Sequence, residues 1–237
     1  MNPVVIFRHA PTEGPGYFAT YLSRHGIPWQ VVKIDAGEPV PEDARAFSGM
    51  AFMGGPMSVN DNLPWIPGVL DFIRKGAAAG VPAIGHCLGG QLMAKALGGE
   101  VTRNPVKEIG WGRVEVADNA AAQQWLGTLP GAFDSFHWHG ETFSIPPRAV
   151  RVLSSAYCTN QAFVLDKHIG MQCHVEMTGE LIRTWCRDWS KEVQSLAARV
   201  PSVQTPEEMT AMLEQKVSTL HAVADRIYDK WAQGLVR

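Results

Sequence analysis

The sequence predicts an α/β protein, a three-layer sandwich with a central, mostly parallel sheet and helices at its C-terminal end. Two observations carry this. Over the first two thirds, short apolar runs alternate with helix-compatible stretches, and such alternation implies parallel strands joined by crossover helices, with sites at the carboxyl ends of the strands. The last third holds two long stretches with apolar residues at spacings of three and four.

Residues 4–7 (VVIF), 29–34 (WQVVKI) and 49–54 (GMAFMG) read as strands, and a helix from Tyr17 to His25 separates the first two. A second helix, Pro67 to Ala79, leads to a strand over Val81 to Gly85. A third runs from Gln91 to Leu97 and stops at Gly98-Gly99. From Gly112 to His174 the pattern becomes short β-rich pieces (GRVEV, SFHWH, VRVLSS, QAFVL, HIGMQCH), read as antiparallel additions to the sheet.

Glu180 to Val200 places Ile182, Trp185, Trp189, Val193, Leu196 and Val200 on one helical stripe. After Pro201, Thr205-Pro206-Glu207-Glu208 forms a capping box with proline at the first helical position. The helix that follows aligns Met209, Leu213, Val217, Leu220, Ala224, Ile227 and Trp231. The chain is therefore divided into residues 1–200, one α/β domain, and 201–237, a helical extension packed on that domain or on a partner subunit, with packing inside the chain favoured.

Composition narrows the function classes. A net charge of −2 and pI near 6.4 give no electrostatic case for nucleic acid or an anionic membrane. The opening MNPVVIF lacks the basic segment and long apolar run of a signal peptide, and no membrane span follows. Four cysteines without CxxC pairing read as reduced thiols in the cytoplasm.

The chemistry concentrates at residues 81–99 (VPAIGHCLGGQLMAKALGG). A strand, a Gly-x-Cys-x-Gly turn and a helix present Cys87 as a nucleophile on a sharp bend. Gly85 and Gly89 are small where strand and helix cross. The helix dipole and free N–H groups favour the thiolate, which is expected to face solvent. A thiolate nucleophile needs a base and a group orienting it. His174, at the end of an apolar strand, with Glu176 two residues on and on the same side, supplies both. Met53-Gly54-Gly55-Pro56 closes another strand and can turn an N–H toward a developing oxyanion, with the N–H of Leu88 as the second donor.

Gly85-His86-Cys87-Leu88-Gly89-Gly90-Gln91, preceded by GGP and followed by His-x-Glu, resembles the class I glutamine amidotransferase domain from about Gly49 to Thr178. The likeness is greatest to stand-alone members related to the glutaminase portion of GMP synthase and to γ-glutamyl peptidases, and it implies a flavodoxin-like sandwich. It further implies a catalytic Cys87, His174 and Glu176, with Gly55 and Leu88 as oxyanion donors. Gln91 and Trp138-His139-Gly140-Glu141 would hold the α-amino and α-carboxylate ends of the substrate. Three positions depart from the family's usual pattern: His86 stands where an aliphatic residue is common, Val175 replaces a proline, and Trp138 to Glu141 replace a Ser-His-Gly-Asp type sequence.

The function expected is cysteine-dependent hydrolysis of glutamine, releasing glutamate and ammonia, without metal or organic cofactor. Alternatives are a γ-glutamyl peptide or amide hydrolase with the same three residues, and a non-catalytic regulatory subunit. The expected partner is a small molecule, with room for self-association and for a separate synthetase subunit. A metal-dependent reading rests on His137 and His139 at i and i+2 with Glu141 nearby, but finds no third ligand. His9 and Glu13, after the first strand, read as polar loop residues, with lining of the site mouth as the alternative, and Cys158, Cys173 and Cys186 as packing residues, with Cys173 facing away from His174.

Overall fold

The computed structural model describes residues 1–236. Its centre is a nine-stranded sheet in the order β2-β1-β3-β4-β9-β8-β7-β5-β6. Strands β1 (Val4–Arg8), β2 (Trp29–Lys33), β3 (Gly49–Phe52), β4 (Ala83–His86) and β9 (His168–Met171) pair in parallel. The other side of the sheet is antiparallel: β8 (Ala162–Leu165), β7 (Val150–Ser155), β5 (Val101–Val116) and β6 (Ala132–Phe143).

Strand β1 explains the layers. Its side chains alternate between two apolar clusters, Val4 and Ile6 in one and Val5 and Phe7 in the other, and all four are fully buried. A strand covered on both faces reads as a continuous apolar run, as VVIF does. Helices α2 (Ile66–Ala78) and α3 (Leu88–Ala96) cover one face, and α1 (Gly16–Arg24) and the C-terminal helices cover the other. Helix α4 (Ala120–Leu126), capped by the Asn119 side chain on the Ala122 N–H, lies between β5 and β6 and has no counterpart among the predicted elements.

Three expectations are corrected. The β-rich region begins at Val101, eleven residues before Gly112, because β5 and β6 form one long hairpin whose register shifts between Arg103 and Glu108. Pro105 lies in that irregular stretch, where a missing ladder donor is tolerated. The helix expected over Glu180 to Val200 is two, α5 (Gly179–Asp188) and α6 (Ser190–Leu196). They break at Trp189, whose ring packs on Trp138 at 5.1 Å and Trp185 at 4.9 Å. Flanking Asp188 and Ser190 are weak helix formers and give the turn little resistance.

The helix after the capping box is also two, α7 (Pro206–Thr210) and α8 (Leu213–Ala232), with Met212 in the left-handed region at φ 52°. Trp111 Nε1 donates to the Met209 carbonyl at 2.9 Å, removing an acceptor that a continuous helix needs for Leu213. The capping box itself forms as the sequence reads.

All seven residues of the last apolar stripe are buried within this chain. Polar ties add to that packing: Tyr17 donates to Asp225 at 2.9 Å and Tyr21 to Asp229 at 2.7 Å, joining α1 to α8. No described helix is long and apolar enough to cross a membrane. Trp231 is 1% exposed and meets Phe18 edge-on at 5.5 Å. Trp231→Ala is expected to cost about 3–5 kcal/mol, and a single, earlier urea transition would show that α8 unfolds together with the sheet.

Candidate active site

Strand β4 ends at His86 and α3 begins at Leu88, which leaves Cys87 alone to make the turn, at φ 51° and ψ −110°. That conformation is sparsely populated for any residue with a Cβ. Glycines make it accessible. A Cβ on Gly85 would lie 2.5 Å from the Gly89 backbone, and one on Gly89 would strike the Phe52 carbonyl. The Cys87 N–H donates to the Met171 carbonyl at 2.8 Å, tying the turn to β9. As the first helical residue, Leu88 carries an N–H with no intrahelical acceptor.

The thiol is 6% exposed, so it does not project into open solvent as expected. It faces the floor of a pocket of about 600 Å³, because β6 and the segment after β9 close over it. The sulfur lies 3.5 Å from Gln172 Nε2 and 3.9 Å from the Trp138 carbonyl. Gln172 in turn accepts from Gln91 Nε2 at 3.1 Å.

His174 follows the end of β9 and bridges to Phe136 of β6. Its Nδ1 is 2.6 Å from Glu176 Oε1, and both side chains are almost wholly buried. Burial opposes the imidazolium, but the Glu176 carboxylate and the Cys87 thiol outweigh it and hold the His174 pKa well above its usual value. For Glu176, burial raises the pKa, and the His174 and His86 charges overcome this and hold it at about 2. The imidazole Nε2, buried without another hydrogen-bond partner, is the nitrogen left for the thiol.

His86, one of the three departures, lies beneath this pair. Its Nε2 is 3.8 Å from Glu176 Oε2 and 3.2 Å from the Tyr228 hydroxyl of α8. Burial lowers its pKa, against the pull of the Glu176 carboxylate. Val175, the second departure, is fully buried in the apolar cluster under α1, and Cys173 joins it with its thiol pushed up to about 12 by burial.

Gly55, Gln91, Trp138, His139, Gly140 and Glu141 all line the pocket with Cys87. Glu141 accepts from Ser58 Oγ at 3.0 Å, and Trp138 donates its indole N–H to Glu192 at 2.9 Å. Sequence reading missed Arg103 to Lys107, Trp189 and Glu192, which complete the rim. The signal for the first group was Pro105 inside an otherwise strand-like stretch. Lys107 pairs with Glu192 across the mouth. His9 is held apart, with Nδ1 on the Met53 carbonyl at 3.0 Å and its ring stacked on Trp65.

Glu13 lies in the loop after β1, as read, and also takes the alternative position at the site. It is 5% exposed, lines the pocket, and crowds Gly54 so closely that a Cβ there would collide with its carboxylate. Burial raises its pKa to about 7; the His174 charge pulls it back and Glu176 pushes it further up.

A family model for class-I glutamine amidotransferases matches residues 17–185. The chain belongs to that family. It is 26% identical over 180 residues to YfeJ, a glutamine amidotransferase-like protein of Salmonella typhimurium, covering 73% of this chain and 75% of that one. A subunit of the glutamine-hydrolysing GMP synthase of Sulfolobus acidocaldarius is 32% identical over 139 residues, 57% of this chain and 71% of that protein. The chain spans only 34% of the GMP synthase of Rhodopseudomonas palustris. The crystal structure of a glutamine amidotransferase from Methylobacillus flagellatus superposes with a TM-score of 0.97 at 46% identity, covering 100% of this chain and 96% of that one.

The Glu13 environment sets a testable sign. A carboxyl whose folded pKa lies above its unfolded value makes the fold bind more protons, so stability declines as pH rises from about 4.5 to about 7. Glu13→Gln removes that penalty. Thermal unfolding should show the variant more stable than the native protein at pH 8, by up to about 3 kcal/mol, with the difference shrinking toward pH 5.

Proposed function

We propose that this family member hydrolyses the γ-amide of glutamine through a thioester on Cys87. The observation that carries the reading is the strained Cys87 turn opening into a pocket beside the buried His174–Glu176 pair. In the first step the Cys87 thiolate attacks the amide carbon. The developing oxyanion takes hydrogen bonds from the N–H groups of Gly55 and Leu88. The His174 imidazolium then gives its proton to the departing nitrogen, and ammonia leaves. Water attacks the thioester, with His174 taking its proton, and glutamate is released while the thiolate returns.

Glu176 keeps the imidazole in the orientation that presents Nε2 to sulfur and stabilises its charged form. Gln91 and the segment from Trp138 to Glu141 hold the amino-acid end of the substrate, with the Arg103 guanidinium at the rim as a partner for a carboxylate. The name of the Sulfolobus relative, a GMP synthase subunit, supports a separate synthetase as the destination of the ammonia.

A second reading, hydrolysis of a γ-glutamyl peptide or amide, is favoured by the pocket. At about 600 Å³, edged by Trp138 and Trp189, it offers room beyond a single amino acid. The ratio of kcat/KM for glutamine to that for γ-glutamyl dipeptides separates the two.

Cys87→Ala should lower kcat by about 10⁴-fold or more and abolish the thioester adduct seen by mass spectrometry of quenched enzyme. Undiminished turnover by folded Cys87→Ala protein would refute the mechanism. The pH profile gives a second check. Because the Glu176 charge raises the His174 pKa, Glu176→Gln should move the alkaline limb of kcat/KM to lower pH and reduce kcat by about 10²–10⁴-fold.

A further inference from the structure

Behind the pocket wall, the β5–β6 hairpin carries a second polar cluster, of which one member, His139, also lines the pocket. Glu108 pairs with His139 in the ladder, and His137 lies two residues back on the same face of β6. All three are nearly sealed from solvent, at 3%, 1% and 4% exposed for Glu108, His137 and His139. Each offers one ligand-type atom, and these atoms all lie within 4.8 Å of one another.

The protons decide what the cluster can hold. A carbonyl oxygen only accepts, so the ring nitrogens facing carbonyls must be the protonated ones. His137 directs Nε2 at the Gly112 carbonyl at 3.3 Å, and His139 directs Nδ1 at the Glu141 carbonyl at 2.9 Å. In neutral imidazoles that leaves His137 Nδ1 and His139 Nε2 as lone pairs facing inward. His137 Nδ1 is buried with no partner, and His139 Nε2 lies 3.0 Å from Glu108 Oε2. An imidazolium at His139 would account for that last contact, yet it would still leave His137 Nδ1 stranded.

From this arrangement we propose that Glu108, His137 and His139 form a binding site for a divalent transition ion of the zinc class, coordinated by His137 Nδ1, His139 Nε2 and a Glu108 carboxylate oxygen. Histidine ligands commonly donate their outer N–H to a backbone carbonyl, and both do so here. The carboxylate is held from outside as well: Ser155 donates to Oε1 at 2.9 Å and Gln161 to Oε2 at 2.7 Å. Tetrahedral zinc bonded at ~2.0–2.2 Å places its ligand atoms ~3.4 Å apart, which the cluster reaches with small side-chain shifts.

Two imidazoles and a carboxylate suit such an ion, and the fourth position falls to water or to Gln161 Oε1, itself buried without a partner. Gly112 makes room, since a Cβ there would lie 2.9 Å from His137 Cδ2. Glu141, the acid nearest the two histidines in sequence, is not the third ligand, because it turns to Ser58. The ion would clamp β5 to β6 directly behind the residues that line the pocket.

The test uses full-length Cys87→Ala protein, so that the pocket thiolate cannot capture the ion. After treatment with a chelator it is titrated with zinc chloride and, separately, cobalt chloride. The expected result is one ion per chain and a Tm rise of ~5–10 °C at about a hundredfold excess over Kd. Cobalt should add the visible absorption of a four- or five-coordinate ion. His137→Gln and Glu108→Gln, checked for folding by circular dichroism, should abolish both effects. If those variants do not fold, the cobalt spectrum and stoichiometry of Cys87→Ala protein decide alone. Absence of stoichiometric binding there, or binding that persists in folded His137→Gln protein, overturns the proposal.

Discussion

At Cys87 the chain has to reverse from strand to helix within one residue, at φ 51° and ψ −110°. Holding an L-residue there costs about 1–3 kcal/mol, which the surrounding contacts must offset. They do so by close approach: the backbones of β4, α3 and β3 meet where side chains larger than hydrogen cannot stand. The sulfur on this bend lies against the Gln172 amide and the Trp138 carbonyl. The parallel part of the sheet, with helices on both faces, is the frame that keeps this bend from relaxing.

Charge is the second constraint, and it pulls against the first. Burying the His174–Glu176 pair costs desolvation on both partners, and the pair persists because its geometry is short and direct. Glu176 Oε2 is left without a hydrogen bond, 3.8 Å from His86 Nε2. Through His86, the Tyr228 hydroxyl on α8 comes within two contacts of Glu176. Glu13 adds a further acidic group to the same small volume; burial above all resists its ionisation, and the Glu176 charge adds to that. Such crowding of titratable groups is a cost that a purely structural core avoids.

Legibility in the sequence followed the range of the interactions. The elbow, the parallel strands and the capping box are local, so glycine placement, apolar runs and Thr-x-x-Glu spacing disclosed them. His174 and Glu176 were legible because two residues of extended chain place both on one side. The break at Trp189 depends on rings from another strand, and the break before Met212 on the Trp111 indole N–H, so neither left a local mark. Arg103 to Lys107 became pocket residues only through the hairpin irregularity. Glu108 could not be joined to His137 and His139 without the strand register that sets it opposite His139.

The pocket is assembled from two structurally different sources. Cys87 and the residue following Gly54 come from strand ends of the parallel part, whereas Trp138 to Glu141 and Arg103 to Lys107 come from one antiparallel hairpin. The hairpin's irregular stretch mixes exposed and fixed residues: Arg103 is exposed, whereas Asn104 is buried and donates to the Val106 and Tyr157 carbonyls. A different side chain at Arg103 would therefore reshape the pocket edge without disturbing the glycine-lined bend that holds Cys87.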